Sequence, residues 1–363
     1  MIMDSVKKEL KYLMRYGKQF KSLIKKDGIG VVSDKEYWLA WRPFCKEKYI
    51  IFRMHTGFGL GYLIPSMIES FEWANEMGFI PMVCWSSPLE QMNDFRVNIP
   101  KNIWDCFFVQ HFNTAINGKT VLIGNQYAVY TSDSVKRRLH VREYDRGYME
   151  CDDPEWRDIF ANYNKYFSKW FILKDVVQNN INDEWKDICK DGDKFLGVFL
   201  REEFSIDRSK LPKDDALNVH PWVMGIDEAL KYIKEYKELT GCNKIYVASM
   251  FEDSINAFKN VFGDENVFCA SRKRQQFKEF EQNRIELFKD GKKLEDAFKT
   301  NKSEMPFDLS SHTGYIKDIY FCAKCDSFAG HMCSGTRTAL IVNGGKYTNY
   351  KMLPNYKDID LRI

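Results

Sequence analysis

The chain has 363 residues, of which 44% are hydrophobic and 15% aromatic, so it can build two domains with packed cores. Its formal net charge of +3 gives no reason to expect nucleic-acid binding, and no apolar run approaches the ~20 residues of a membrane span. The sequence shows no signal peptide, and its ten cysteines are scattered through apolar segments. This pattern is typical of reduced, packed thiols in a cytoplasmic protein.

Residues 1–26 are strongly basic, with eight lysines and arginines against two carboxylates. Apolar side chains in this stretch fall near one helical face, so we predict a basic amphipathic helix within residues 1–30. Such a helix can bind peripherally to an anionic membrane surface, which would place the protein on the inner membrane face. The alternative is a helix docked on its own domain with a solvated basic face, and composition does not separate the two.

The first α/β unit begins with a predicted strand at 48–54 that runs into the sequence HTGFGLG. A helix at 63–77 and a strand at 80–85 follow, which completes a βαβ unit. Because glycines let a backbone approach a ligand closely, we predict an acceptor-side loop here. Its residues are His55, Gly57, Gly59 and Gly61. The G-x-G-x-G spacing differs from the dinucleotide fingerprint, and a tight strand–helix turn without a ligand is the alternative.

Further along, we predict a strand at 120–124 and helices over 154–182, where aromatic residues recur at helical spacing and indicate core packing. These helices bridge two domains, and we place the boundary near residue 185. The predicted domains are an acceptor-side α/β domain at 31–185 and a second α/β domain at 186–350, followed by a tail at 351–363. We expect the two domains to face each other across a cleft.

The second domain alternates strands and helices, which predicts a parallel, doubly wound sheet with ligands beyond the carboxyl ends of its strands. The predicted strands are 195–200, 244–249, 266–270 and 327–330. The predicted helices are 225–240, 254–261, 314–325 and 335–343. Residues 271–302 are rich in charge and are interpreted as an insertion or a lid.

Three strands of this domain end in polar side chains. In chain order these are Arg201, Glu202, Glu203, Ser249, Glu252, Asp253, His331, Ser334, Gly335 and Thr336. The last three start a helix, and a helix N-terminus binds anions through its free amide groups and its dipole. An arginine can also pair two phosphate oxygens. We therefore expect an anion site at Arg201 and this helix start, with an ion pair between Arg201 and a carboxylate such as Glu203 as the alternative.

Three motifs in this domain resemble, in order and spacing, the donor domain of the fucosyltransferase superfamily. They are GVFLREEF…NVHPW, KIYVASMFED and KDIYFCAKCDSFAGHMCSGTRTALIVNGGKY, and the resemblance spans roughly residues 165–350. It implies a GT-B-like fold, in which two Rossmann-type domains face a cleft. It also implies inverting transfer of fucose from GDP-fucose to a glycan or polysaccharide acceptor, with no metal and no other cofactor.

The same resemblance implies roles for individual residues. Arg201 matches the arginine that holds the β-phosphate of the leaving GDP. The positions matched to nucleotide-sugar contacts are Arg201, His220, Ser249, Asp253, Asp318, Ser334, Gly335 and Thr336. A carboxylate would take the proton of the acceptor hydroxyl, and we predict Glu203 for this role, with Asp207 next.

The chain departs from the family pattern beside the arginine. The family has histidine where Phe199 stands, and residues 202–204 after the arginine also differ. These departures leave two alternatives open. One is a GT-B transferase that uses another nucleotide sugar, and the other is a non-catalytic relative that binds nucleotide sugars.

Overall fold

The computed structural model describes residues 29–32, 49–55, 64, 67–68, 71, 80–86, 103–109, 121–125, 156–201, 225–276, 278–279, 309–331 and 333–353. They belong to two compact units. The first unit comprises Met1–Val141 and Tyr166–Lys174, and the second comprises Arg142–Lys165 and Asp175–Ile363. In the described ranges, no helix is long and apolar enough to cross a membrane. The basic helix expected at 1–26 lies outside these ranges and stays a prediction, as does the cleft between two domains.

The described part of the first unit contains a parallel four-stranded sheet. Its strands are β1 (Ile29–Val32), β2 (Tyr49–His55), β3 (Ile80–Ser86) and β4 (Val121–Asn125), in the order β1-β4-β2-β3. The predictions at 48–54, 80–85 and 120–124 are confirmed, because each apolar run forms a strand of nearly the predicted length. Strand β1 was missed, since the segment predicted as helical extended to residue 30 and covered its first two residues.

Aromatic side chains form the core of the described part of the first unit. The short helix α1 (Trp104–Phe107) and the end of helix α2 (Trp156–Trp170) supply most of them. The rings of Phe167 and Phe171 stack, with their centroids 4.8 Å apart. The prediction that six aromatic residues of 154–182 are core residues is confirmed, because each of the six is at most 7% exposed. They are Trp156, Phe160, Tyr163, Phe167, Trp170 and Phe171. The first three group with the second unit and the last three with the first.

The second unit contains a parallel sheet of five described strands. They are β5 (Phe195–Phe199), β6 (Lys244–Ala248), β7 (Val267–Phe268), β8 (Ser327–Gly330) and β9 (Asn349–Met352), in the order β7-β6-β5-β8-β9. The central strands β5 and β8 are buried along their whole length, as expected for a parallel sheet with helices on both faces. The predicted fold class, α/β with a doubly wound parallel sheet in the C-terminal domain, is confirmed.

Two edges of this sheet differ from the sequence prediction. Strand β7 is shorter than the predicted 266–270, because Asp264–Asn266 form a 3-10 turn and the chain leaves the sheet after Phe268. Strand β9 was not predicted, and it includes the first residues of the tail predicted at 351–363. Its sequence NYKM is polar and only partly buried, so it lacks the apolar run that reveals a central strand.

Helices alternate with these strands along the chain. They are α3 (Asp175–Ile188), α4 (Ile226–Thr240), α5 (Glu252–Phe262), α6 (Leu309–Lys324) and α7 (Ser334–Asn343). The first of them groups with the second unit, although the predicted boundary near residue 185 cuts through it. The reason is packing, since Trp185 lies against Phe195 of β5 and Phe321 of α6, with ring centroids 5.2 and 5.5 Å apart.

The order of the strands reverses between β5 and β8. From β5 the chain continues to β6 and β7 on one side, and it then returns to place β8 and β9 on the other side. At such a switch point the two loops at the carboxyl ends of the strands diverge, which opens a crevice where ligands bind in doubly wound sheets. Arg201 is the second residue after β5 and His331 is the first after β8, so both stand at this point.

Candidate anion-binding site

Arg201 and His331 are joined directly at the carboxyl ends of β5 and β8. The backbone amide of His331 donates to the carbonyl oxygen of Phe199 at 3.0 Å. The backbone amide of Arg201 donates in return to Nδ1 of His331 at 2.9 Å. The imidazole is 1% exposed, whereas the arginine is exposed to solvent. The buried His331 ring therefore fixes the backbone of Arg201, whose cationic side chain is exposed.

The imidazole of His331 is held in one neutral form. Burial, and then the nearby Arg201, lower the pKa of His331 to about 4. Because Nδ1 accepts the Arg201 amide proton, the single proton of the neutral ring must lie on Nε2. Within the described part of the chain, Nε2 is buried and has no hydrogen-bond partner. Leaving a buried donor unsatisfied costs about 1–3 kcal/mol.

Helix α7 begins three residues after His331 and presents its N-terminus at the same strand ends. Cys333 is the N-cap, and its Sγ accepts from the Thr336 amide at 3.5 Å. No acidic residue lies in the first turn, so no carboxylate of that turn offsets the positive end of the helix dipole. Such an end favours an anion, by about 0.3–1 kcal/mol when it is exposed.

Gly335 allows the first turn of α7 to pack closely on the end of β5. A Cβ atom at this position would overlap the ring of Phe199 and lie 2.8 Å from the hydroxyl oxygen of Tyr315. The two aromatic rings meet edge to face, with centroids 6.1 Å apart. The glycine therefore lets the helix start approach the strand that carries Arg201, and Phe199 is a packing residue for that approach.

Asp318 and Ser249 belong to a second, buried network. The carboxylate of Asp318 accepts from the Tyr246 hydroxyl at 2.7 Å and pairs with Nη2 of Arg272 at 2.7 Å. The same Arg272 nitrogen donates to the backbone carbonyl of Ser249 at 2.6 Å. Burial raises the pKa of the Asp318 carboxyl, while Arg272 opposes the rise. One Asp318 oxygen thus accepts a hydrogen bond from Tyr246, while the other is ion-paired with Arg272 and accepts no hydrogen bond within the described residues. Asp318 stands at a position matched by resemblance to a nucleotide contact.

Arg272 was not predicted as part of any site. It lies at the start of the charged stretch interpreted as an insertion or a lid, of which 271–276 and 278–279 are described. The backbone amide of Ser271 donates to Glu184 at 2.9 Å, and Gln275 exchanges backbone hydrogen bonds with Met250 and Glu252. This beginning of the stretch is therefore bonded to α3, to the loop after β6 and to the first residue of α5.

The other predicted site residues lie at three described places or outside the described residues. Ser334, Gly335 and Thr336 start α7 as expected, and Asp253 is exposed in the first turn of α5, where a carboxylate favours the helix. His55 is the last residue of β2. Outside the described residues lie Gly57, Gly59, Gly61, Glu202, Glu203, Asp207 and His220. In the described part of the chain, no group of three or more metal-ligating side chains comes together.

Of the comparisons with known proteins, only the comparison with solved structures found matches. No family model matches the chain, and no curated protein sequence matches it. The chain is similar to the crystal structure of NodZ α-1,6-fucosyltransferase co-crystallised with GDP, with a TM-score of 0.41 and 14% identity over 81% of this chain and 92% of that chain. For fucosyltransferase NodZ from Bradyrhizobium the TM-score is 0.41 and the identity 13%, over 81% of this chain and 92% of that chain. For POFUT1 in complex with GDP the values are 0.39 and 10%, over 84% of this chain and 98% of that chain.

Proposed function

We propose that this chain is an inverting glycosyltransferase that transfers fucose from GDP-fucose to a glycan or polysaccharide acceptor. The observation that carries the proposal is the meeting of Arg201, His331 and the start of α7 at the switch point of a doubly wound sheet. A cation, a buried donor and a helix N-terminus together suit a diphosphate. The choice of GDP-fucose rests on the three sequence motifs that resemble the fucosyltransferase superfamily.

In the proposed reaction, the acceptor hydroxyl oxygen bonds to the anomeric carbon of the donor sugar while the bond from that carbon to the β-phosphate oxygen breaks. The exposed guanidinium of Arg201 and the amide groups at the start of α7 stabilise the charge that develops on the leaving GDP. The proton of the acceptor hydroxyl passes to a carboxylate, for which we propose Glu203, with Asp207 as the second choice. We propose that no metal takes part.

The test of this proposal is binding of GDP, followed by GDP release from GDP-fucose in the presence of glycan acceptors. Replacing Arg201 by alanine removes a charge-assisted hydrogen bond of about 1.5–3 kcal/mol, so we expect GDP binding to weaken roughly tenfold to a hundredfold. Lys234→Ala removes an exposed cation from α4 and is the matched control. Equal GDP affinity of Arg201→Ala and Lys234→Ala would remove Arg201 from the site.

A different nucleotide sugar is the second candidate. It is favoured by the pairing of Asp318 with Arg272 and Tyr246, which engages a carboxylate matched to a nucleotide contact. A thermal-shift panel of GDP, UDP and CMP separates the candidates, because a ligand that binds the folded protein raises its unfolding temperature. Nucleotide binding without turnover of any donor sugar would indicate the non-catalytic relative instead.

We also propose that the basic stretch 1–26 holds a cytoplasmic enzyme at an anionic membrane surface, near membrane-borne acceptors. The comparison is between the full chain and a chain lacking residues 1–26, each mixed with vesicles of anionic and of neutral lipids. Binding of the full chain to anionic vesicles should weaken with salt and disappear with the deletion. Undiminished binding of the shortened chain would reject this role.

A further inference from the structure

We infer that His331 donates a hydrogen bond from Nε2 to an oxygen of the bound nucleotide's diphosphate, while its Nδ1 holds the backbone of Arg201. The inference rests on the proposed function, because it takes the diphosphate to lie at Arg201 and the start of α7. It adds a ligand contact to those that the sequence motifs suggested.

The backbone of two neighbouring strands positions the His331 ring. The residue is bonded twice to the end of β5 and the chain just beyond it, through its own amide to Phe199 and through Nδ1 to the amide of Arg201. Helix α7 starts three residues later at Ser334, with Cys333 as its N-cap. The ring therefore stands between the residue that carries the cation and the helix end that favours an anion.

The free nitrogen of this ring is a donor that lacks an acceptor. Nδ1 is occupied as an acceptor, so Nε2 carries the proton, and the described residues give this buried N–H no partner. Buried donors are nearly always paired in folded proteins, because an unpaired one is unfavourable. Beside a cation and a helix N-terminus, the acceptor that fits is an anionic oxygen with no proton of its own, as a phosphate provides.

The same geometry excludes His331 as the base of the reaction. One ring nitrogen is bonded to the Arg201 amide and the other already carries a proton, so the neutral ring has no free lone pair. Burial and Arg201 also disfavour a second proton on the ring, since they lower its pKa to about 4. The ring therefore contributes a fixed dipole to the site, and proton transfer is left to a carboxylate.

Two substitutions of His331 distinguish the role of Nδ1 from the role of Nε2. The side-chain oxygen of asparagine can take the place of Nδ1 and keep the Arg201 amide bonded, but asparagine has no atom at Nε2. The amide nitrogen of glutamine can take the place of Nε2 and keep the donor, but glutamine has no acceptor at Nδ1. If Nε2 binds the ligand, we expect His331→Asn to weaken GDP binding about tenfold to a hundredfold and His331→Gln to weaken it much less.

The expected pattern has a second part, measured with guanosine, which lacks the diphosphate. Loss of the Nε2 contact should leave guanosine affinity unchanged in His331→Asn, and thermal unfolding without ligand should show the variant folded. Equal GDP affinity of folded His331→Asn and the wild type would overturn the inference while the proposed function stands. A larger loss in His331→Gln than in His331→Asn would also overturn it, because it would assign His331 to positioning alone.

The wild-type protein offers a test that does not depend on any variant folding. Among its six histidines, a ring that stays neutral at about pH 5, where exposed histidines are cationic, is distinguished in ¹⁵N-histidine NMR spectra. We expect its Nε2–H signal to shift on addition of GDP and not of guanosine. An unchanged signal at saturating GDP would contradict the contact. A wild type that binds no nucleoside diphosphate would overturn the proposed function and this inference together.

Discussion

Replacing His331 by glutamine should change how the stability of the protein depends on pH. The buried imidazole has a pKa of about 4 in the folded protein, against an ordinary value of 6.5. Between these two pH values the unfolded chain binds the proton and the folded chain does not. The contribution of His331 to stability is therefore complete above about pH 6.5 and is lost as the pH falls towards about 4.

The size of this effect follows from the shift. A difference of about 2.5 pKa units corresponds to about 3.4 kcal/mol, at 1.36 kcal/mol for each unit. Because the ring is 1% exposed, solvent screening does not reduce this figure much. Glutamine does not titrate, so His331→Gln should lose about 3 kcal/mol less stability than the wild type between pH 7 and pH 4, and the rest of the difference should follow below pH 4, where the folded imidazole completes its protonation.

The measurement is urea unfolding of both proteins at a series of pH values, with the free energy of unfolding taken at each. Carboxylates also titrate in this range, but they are common to both proteins and cancel in the difference. His331→Gln is expected to be less stable at pH 7, where it loses the bond to the Arg201 amide, and to approach the wild type in acid. Parallel pH profiles of the two proteins would refute the buried, neutral ring.

Two further substitutions, each paired with a compensating change, test the packing around the site, and a third tests the end of helix α4. Gly335→Ala should destabilise the protein by about 1–3 kcal/mol through overlap with Phe199, and Phe199→Leu should restore part of this loss in urea unfolding. Arg272→Met alone should cost about 3–5 kcal/mol, because it leaves Asp318 buried without its cation, and adding Asp318→Leu should recover much of the loss. Gly241→Ala should cost about 1–2 kcal/mol in the same assay, because this residue ends α4 with a φ of 65°. If any of the three single variants were as stable as the wild type, the contact or backbone conformation that it tests would be contradicted.

The sequence could predict the parts of this fold that depend on local apolar runs. Strands β5 and β6 were placed to within a residue of their ends because buried parallel strands are continuous and apolar. Strand β9 was missed because it is a polar edge strand, whose pairing depends on β8 and not on its own sequence. The local pattern of apolar residues thus predicts the central strands of the sheet. It does not predict the polar strand β9 at the edge, which is formed by a later segment of the chain.

The sequence could predict only those residues of the site that lie next to a recognisable strand end or turn. Arg201 and the start of α7 could be found because each stands directly after an apolar run or a turn. The bond between Arg201 and His331 joins residues that are 130 positions apart, and it depends on β5 and β8 being neighbours. Arg272 could not be selected among the charges of its stretch, because its pairing with Asp318 requires the folded positions of both.

The strand order also governs when the site can exist during biosynthesis. As the chain emerges from the ribosome, β6 becomes available to β5 long before β8, so β5 first pairs on one side and exposes an unpaired edge on the other. The hydrogen bond between Arg201 and His331 forms only after the chain has been synthesised as far as His331, 130 positions beyond Arg201. A nascent chain halted before β8 therefore lacks the anion site. It also exposes the unpaired edge of β5, an apolar strand that can pair with other chains, so we expect aggregation to be most favoured at this stage.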